Sequence, residues 1–250
     1  MPGAAGAIPA LRRALAPDAA AKAMARLAKD PTLTRQMDAF AKAAAKATDV
    51  KAALRDPRIL NVLLPALGLP DAVGQPGLAL RALTADPKDP EGLLAKLPDS
   101  RWKSAAAALN LGTGGIAVLR DPKVQASLAD GLRKLAWQGE LDAAQPGTGD
   151  ALLFRERAAG VNGVYGALGD PVVRRVLTTA LGLPQQIVVQ PIETQARLIT
   201  NRLDLAKLKD PREVAKLAER YVVMASGNGG GGSDAASGLL SLFPAGGLLA

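Results

Sequence analysis

The chain has 250 residues, 48% of them hydrophobic but only 3% aromatic, with no Cys, no His and a net charge of +8. Without Cys or His there is no disulfide scaffold, thiolate nucleophile or imidazole acid–base pair, and nearly every zinc site is excluded. Fifty Ala and 39 Leu make up over a third of the chain, a composition that favours closely packed helices and suffices for a sizeable core.

The N-terminal stretch carries most of the charge. Residues 1–55 hold ten Lys and Arg against four Asp and Glu, a net of +6. Helices are predicted over 8–28 and 31–55, and residues 1–50 are read as a basic, Ala-rich helical segment. Arg12, Arg13, Lys22 and Arg26 are its candidate partner-binding residues. A basic helical face suits an acidic protein, nucleic acid or an anionic surface. Arg12 and Arg13 precede Ala-rich sequence with charges at Asp18 and Lys22, not an apolar core, so no Sec signal peptide is expected. The apolar runs are too short, or too interrupted by Gly and Pro, for a transmembrane segment.

An internal repeat follows. Residues 51–70, KAALRDPRILNVLLPALGLP, match residues 165–184, YGALGDPVVRRVLTTALGLP, at 11 of 20 positions without a gap. In each copy an Asp (Asp56, Asp170) stands at an N-cap and a Pro (Pro57, Pro171) at the first helical position. Apolar residues recur at helical spacing, namely Ile59, Val62, Leu63, Ala66 and Leu67, then Val173, Val176, Leu177, Ala180 and Leu181. Gly68 and Gly182 can turn left-handed to close the helix, before Leu69 and Leu183 and the stops Pro70 and Pro184. Pro65, inside the first copy alone, predicts a kink or an early end.

Seven Asp-Pro pairs punctuate the chain and predict many short helices with firm starts. Further helices are predicted over 57–67, 75–85, 90–97, 99–109, 121–137, 150–168, 171–181, 191–203 and 210–225. The Gly-rich Leu111–Gly115 reads as a loop, since it lacks the Lys followed by Ser/Thr that ends a phosphate-binding loop and follows a helix instead of a strand. Ile187-Val188-Val189 is the only strand-like run, bounded by Pro184 and Pro191. After Ser226 comes a Gly/Ser-rich linker and then the apolar GLLSLFPAGGLLA, whose Leu239, Leu240, Leu242 and Phe243 are candidates for docking on a partner.

The fold class is therefore all-α: many short helices in two duplicated helical subdomains with no significant sheet. The repeats are placed at 51–120 and 121–225, and the linker and tail at 226–250. No catalytic, cofactor-binding or metal site is assigned. Two further stretches extend the repeat copies. LRDPRILNVLLPALGLP continues into LRALTADPKDPEGLLAKLPDSRWKSAAAALNL, while LLFRERAAGVNGVYGALGDPVVRRVLTTALGLP continues into IETQARLITNRLDLAKLKDPREVAKLAERYV. Together they resemble domain of unknown function 1217, a family of alphaproteobacteria often encoded among flagellar genes. The resemblance implies a helical protein of flagellar assembly or motility, with no activity or catalytic residue to carry over.

The expected role is a non-enzymatic structural or interaction protein with no cofactor. Its expected partners are proteins, flagellar components or further copies of itself. Its expected place is the cytoplasm or the flagellar export route. The alternative is a nucleic-acid or anionic-surface binder acting through the basic N-terminal helices, which the scarcity of stacking aromatics disfavours.

Overall fold

The computed structural model describes residues 3–227, and every regular element among them is helical. All seven Asp-Pro carboxylates accept a hydrogen bond from the backbone N–H two residues on, at 2.7–2.9 Å. The proline has no N–H to offer, so the carboxylate satisfies the next free donor of the first turn.

In chain order the helices are α1 Ala7–Ala14, α2 Ala19–Leu27, α3 Pro31–Lys46, α4 Val50–Ala53, α5 Pro57–Ala66, α6 Pro76–Leu83, α7 Leu93–Lys96 and α8 Arg101–Leu109. They continue as α9 Leu111–Gly114, α10 Ala117–Arg120, α11 Pro122–Ala144, α12 Thr148–Arg157, α13 Gly163–Gly169, α14 Pro171–Ala180, α15 Ile192–Thr200 and α16 Pro211–Gly227. Short 3-10 turns join several of them.

The two repeat copies close alike. Gly68 (φ 77°) and Gly182 (φ 64°) adopt the left-handed conformation. Leu69 N–H then reaches back to Leu64 O at 2.8 Å, and Leu183 N–H to Thr178 O at 2.9 Å. With Gly68 N–H on Pro65 O and Gly182 N–H on Thr179 O, each end is a Schellman motif. Pro65 stops nothing early: α5 runs through it to Ala66, the counterpart of Ala180 at the end of α14.

Several elements depart from the expected spans. The helix expected over 8–28 breaks after Ala14, just ahead of Pro17. The one expected over 31–55 ends at Lys46, where Ala47 turns extended and Asp49 caps α4 through Ala52 N–H. Asp86 and Asp89 begin turns only, and helix resumes at Leu93. Leu111–Gly114 is a helical turn, entered through the left-handed Asn110. Ile187, Val188 and Val189 lie in a 3-10 turn.

The chain forms two compact units, one running Ala21–Trp137 and the other holding the chain up to Ala20 and from Gln138 onward. The 20-residue copies 51–70 and 165–184 fall one in each unit, and the basic stretch 1–50 is shared between them. In the central unit α3 packs on α5 and α6 on α8. Phe40, Leu54, Ile59, Leu63, Leu83 and Leu119 are fully buried there, each such aliphatic contributing about 1.5–3 kcal/mol. The other unit is built around α16, which packs against α1, α12 and α14 and buries Val214, Leu217, Ala218, Tyr221 and Val222.

Candidate functional site

Exposed apolar side chains stand out on the unit that contains α16. Between Pro184 and Pro191 the chain makes a 3-10 turn, Gln185–Val189, with both prolines extended and so unable to continue a helix. Within it Ile187 is buried, whereas Val188 is 52% and Val189 80% exposed; Ile192, opening α15, is 42% exposed. β-branched side chains lose little further freedom on contact because χ1 is already restricted.

The turn is pinned from beneath by Gln195. This side chain is 4% exposed, and its Nε2 donates to Gln190 O at 2.8 Å and to Val188 O at 3.4 Å. Two backbone carbonyls of the loop thus find a donor inside the protein, and the valines between them are presented outward. The Gln195 Oε1 is buried without a hydrogen-bond partner. We call residues 187–192 the knuckle.

The buried polar groups elsewhere tie helices together. Asp150 on α12 accepts from Arg175 Nε at 2.5 Å and Nη2 at 2.8 Å, and from Tyr221 Oη at 2.7 Å, joining α12, α14 and α16. Burial and the Asp150 charge hold the Tyr221 hydroxyl above its ordinary range. The hydrogen bond to Asp150 holds Arg175 above its own. Asp142 accepts Gly149 N–H at 2.8 Å; burial, aided by the nearby Asp150 charge, raises its carboxyl against that bond. In the central unit the buried Arg101 reaches Asp71, Asp99 and the Gly68 carbonyl. Among the described residues no group of three or more Asp or Glu is placed to hold a metal ion.

The residues singled out by charge divide between the two units. Arg12 and Arg13 are exposed on α1, with Arg12 reaching Glu219 at 3.3 Å. Lys22 and Arg26 are exposed on α2, in the part belonging to the central unit. Leu239, Leu240, Leu242 and Phe243 lie outside the described residues. The knuckle left one trace in sequence, the β-branched run at 187–189 between two prolines. Gln195, which shapes it, left none.

A family model described as "Protein of unknown function (DUF1217)" matches residues 66–214. The chain belongs to the DUF1217 family. The match runs from the last residue of α5 into α16 and takes in the whole knuckle. A crystal structure of a protein from Agrobacterium tumefaciens shares this DUF1217 chain's fold, with a TM-score of 0.68 and 22% identity. The likeness covers 88% of this chain and 92% of that one. No curated protein matches. No helix among the described residues is long and apolar enough to cross a membrane.

Proposed function

We propose that this DUF1217 protein is a non-enzymatic helical interaction protein, working through protein contacts in bacterial flagellar assembly or motility. The observation that carries the reading is the knuckle. Two of its valines are largely exposed on a turn that the buried Gln195 holds in one shape. A preorganised apolar projection binds at low ordering cost, which is where contact affinity is gained. The flagellar setting rests on the genomic company of the family it resembles. The proposed role goes with a place in the cytoplasm or on the flagellar export route, and with flagellar components or further copies of the chain as partners.

The buried ionisable groups support a scaffold reading. Arg101, Asp150 and Arg175 each bind helix ends or neighbouring helices of their own unit. Such networks fix helix positions, and they need no substrate to complete them.

A photo-crosslinking amino acid placed at position 189 tests the reading in living cells. A discrete protein adduct is expected from 189 and none from the exposed Lys209 position. Equal labelling from both positions would contradict a contact role for the knuckle.

A further inference from the structure

A second surface lies in the central unit, on the face of α3 that borders α5. Arg35, Asp38, Lys42 and Lys46 follow one another at helical spacing, and with Ala39 of the same helix and Arg58 of α5 they line an open depression of about 350 Å³. All four cations are exposed. Arg58 is held by Asp56 at 2.6 Å. Arg35 has only a long bond to Thr32 Oγ1, at 3.4 Å, and no carboxylate pairs with Lys42 or Lys46 among the described residues.

We propose that this α3–α5 face is a docking site for an acidic segment of a protein partner. The sign pattern along α3 is plus at 35, minus at 38, plus at 42 and plus at 46. A uniform polyanion such as a nucleic-acid backbone gains at three positions and is repelled at Asp38. A predominantly acidic peptide with one cation satisfies all four, as complementary charges across an interface do. The face offers no exposed aromatic on which a base could stack, since Phe40 on the same helix is fully buried. Five of the six lining residues are charged, which suits a charged peptide segment. The site and the knuckle belong to different units of the chain, so either can fail alone.

Fluorescence anisotropy with the full chain tests it, using a labelled oligoglutamate peptide and the same peptide carrying a single central Lys. Duplex DNA and phosphatidylserine vesicles are run at equal ionic strength. The Lys-bearing peptide is expected to bind tightest. Lys42→Gln with Lys46→Gln is expected to weaken it about tenfold, and Arg12→Gln with Arg13→Gln to leave it unchanged. Asp38→Asn is expected to erase the preference for the Lys-bearing peptide. These substitutions are at exposed positions, and an unchanged melting temperature checks that each variant is folded. Tighter binding of DNA or vesicles than of peptide would overturn the proposal, as would peptide affinity indifferent to Lys42 and Lys46.

Discussion

Arg101 Nη1 donates to the carbonyl oxygen of Gly68 across 2.8 Å, at the closed end of the first repeat helix. The second copy has a counterpart in Arg202, whose Nη1 donates to Leu181 O at 2.8 Å and Gly182 O at 3.3 Å. The two arginines differ in setting. Arg101 is 8% exposed and also carries Asp71 and Asp99, whereas Arg202 is exposed.

Removing them should therefore have unequal effects. Arg101→Ala leaves the mostly buried Asp99 carboxylate and the Gly68 carbonyl without their donor, while the half-exposed Asp71 keeps access to water, and is expected to cost about 2–4 kcal/mol. Arg202→Ala loses hydrogen bonds that water replaces, a cost of about 1 kcal/mol. Arg101→Lys should fall between wild type and Arg101→Ala, because an ammonium cannot serve two carboxylates and a carbonyl in the guanidinium's fixed geometry. Urea unfolding of the three variants measures this, and equal costs at Arg101 and Arg202 would refute it.

Two glycines of α11 should respond to alanine with opposite signs. A Cβ on Gly131 would overlap the Ala66 carbonyl oxygen at the end of α5, backbone that cannot swing aside, whereas Gly139 has open space around it. Gly139→Ala is expected to stabilise the protein by about 0.5–1 kcal/mol through helix propensity. Gly131→Ala is expected to destabilise it by about 1–3 kcal/mol from overpacking. Melting curves of the two variants decide the matter.

The Asp142 carboxyl gives a pH signature. Burial, then repulsion from Asp150, raises its pKa in the folded protein, so the folded state holds this proton more tightly than the unfolded chain does. That contribution is full below the unfolded value of about 3.9 and is lost as pH rises through the raised folded value. Asp142→Asn keeps an oxygen for Gly149 N–H and carries no charge. Its melting temperature should match wild type in acid and exceed it increasingly toward neutral pH. A difference that is constant with pH, or shrinks, would contradict the assignment.

Gln195 should govern the knuckle more than it governs overall stability. Gln195→Ala frees the Val188 and Gln190 carbonyls, and elastase cleavage after Val188 or Val189 should accelerate about tenfold by local opening. Global unfolding should shift by no more than about 1–3 kcal/mol. Unchanged cleavage would mean that the prolines alone hold the turn.

What could be read from sequence was local. The Asp-Pro caps and the Gly68 and Gly182 closures depend on residues within one helical turn, so the chain order itself carries them. Asp49, Asp99 and Asp204 also accept nearby backbone N–H groups, yet no Pro follows them to mark the site. The α11 helix runs on to Ala144, seven residues past its expected end, because Gly139 interrupts the pattern without breaking the helix. Arg101 and the Asp150–Arg175–Tyr221 cluster join segments up to 71 residues apart, and no periodicity reports such pairings. Gln195 bonds carbonyls only five and seven residues back, but across an irregular turn that follows no helical spacing. The charged face of α3 was visible only as part of a diffuse basic segment. Its boundary with α5 appears once the helices pack.

Swimming by a strain that lacks the gene and carries it back in altered form tests the flagellar role and the knuckle contact together. Loss of the gene is expected to impair swimming, and the wild-type gene to restore it. A copy with Val189→Asp and Ile192→Asp, made at normal level and with an unchanged melting temperature, is expected to fail. Normal swimming without the gene would contradict the flagellar role, and full rescue by the altered copy would contradict a working contact at the knuckle.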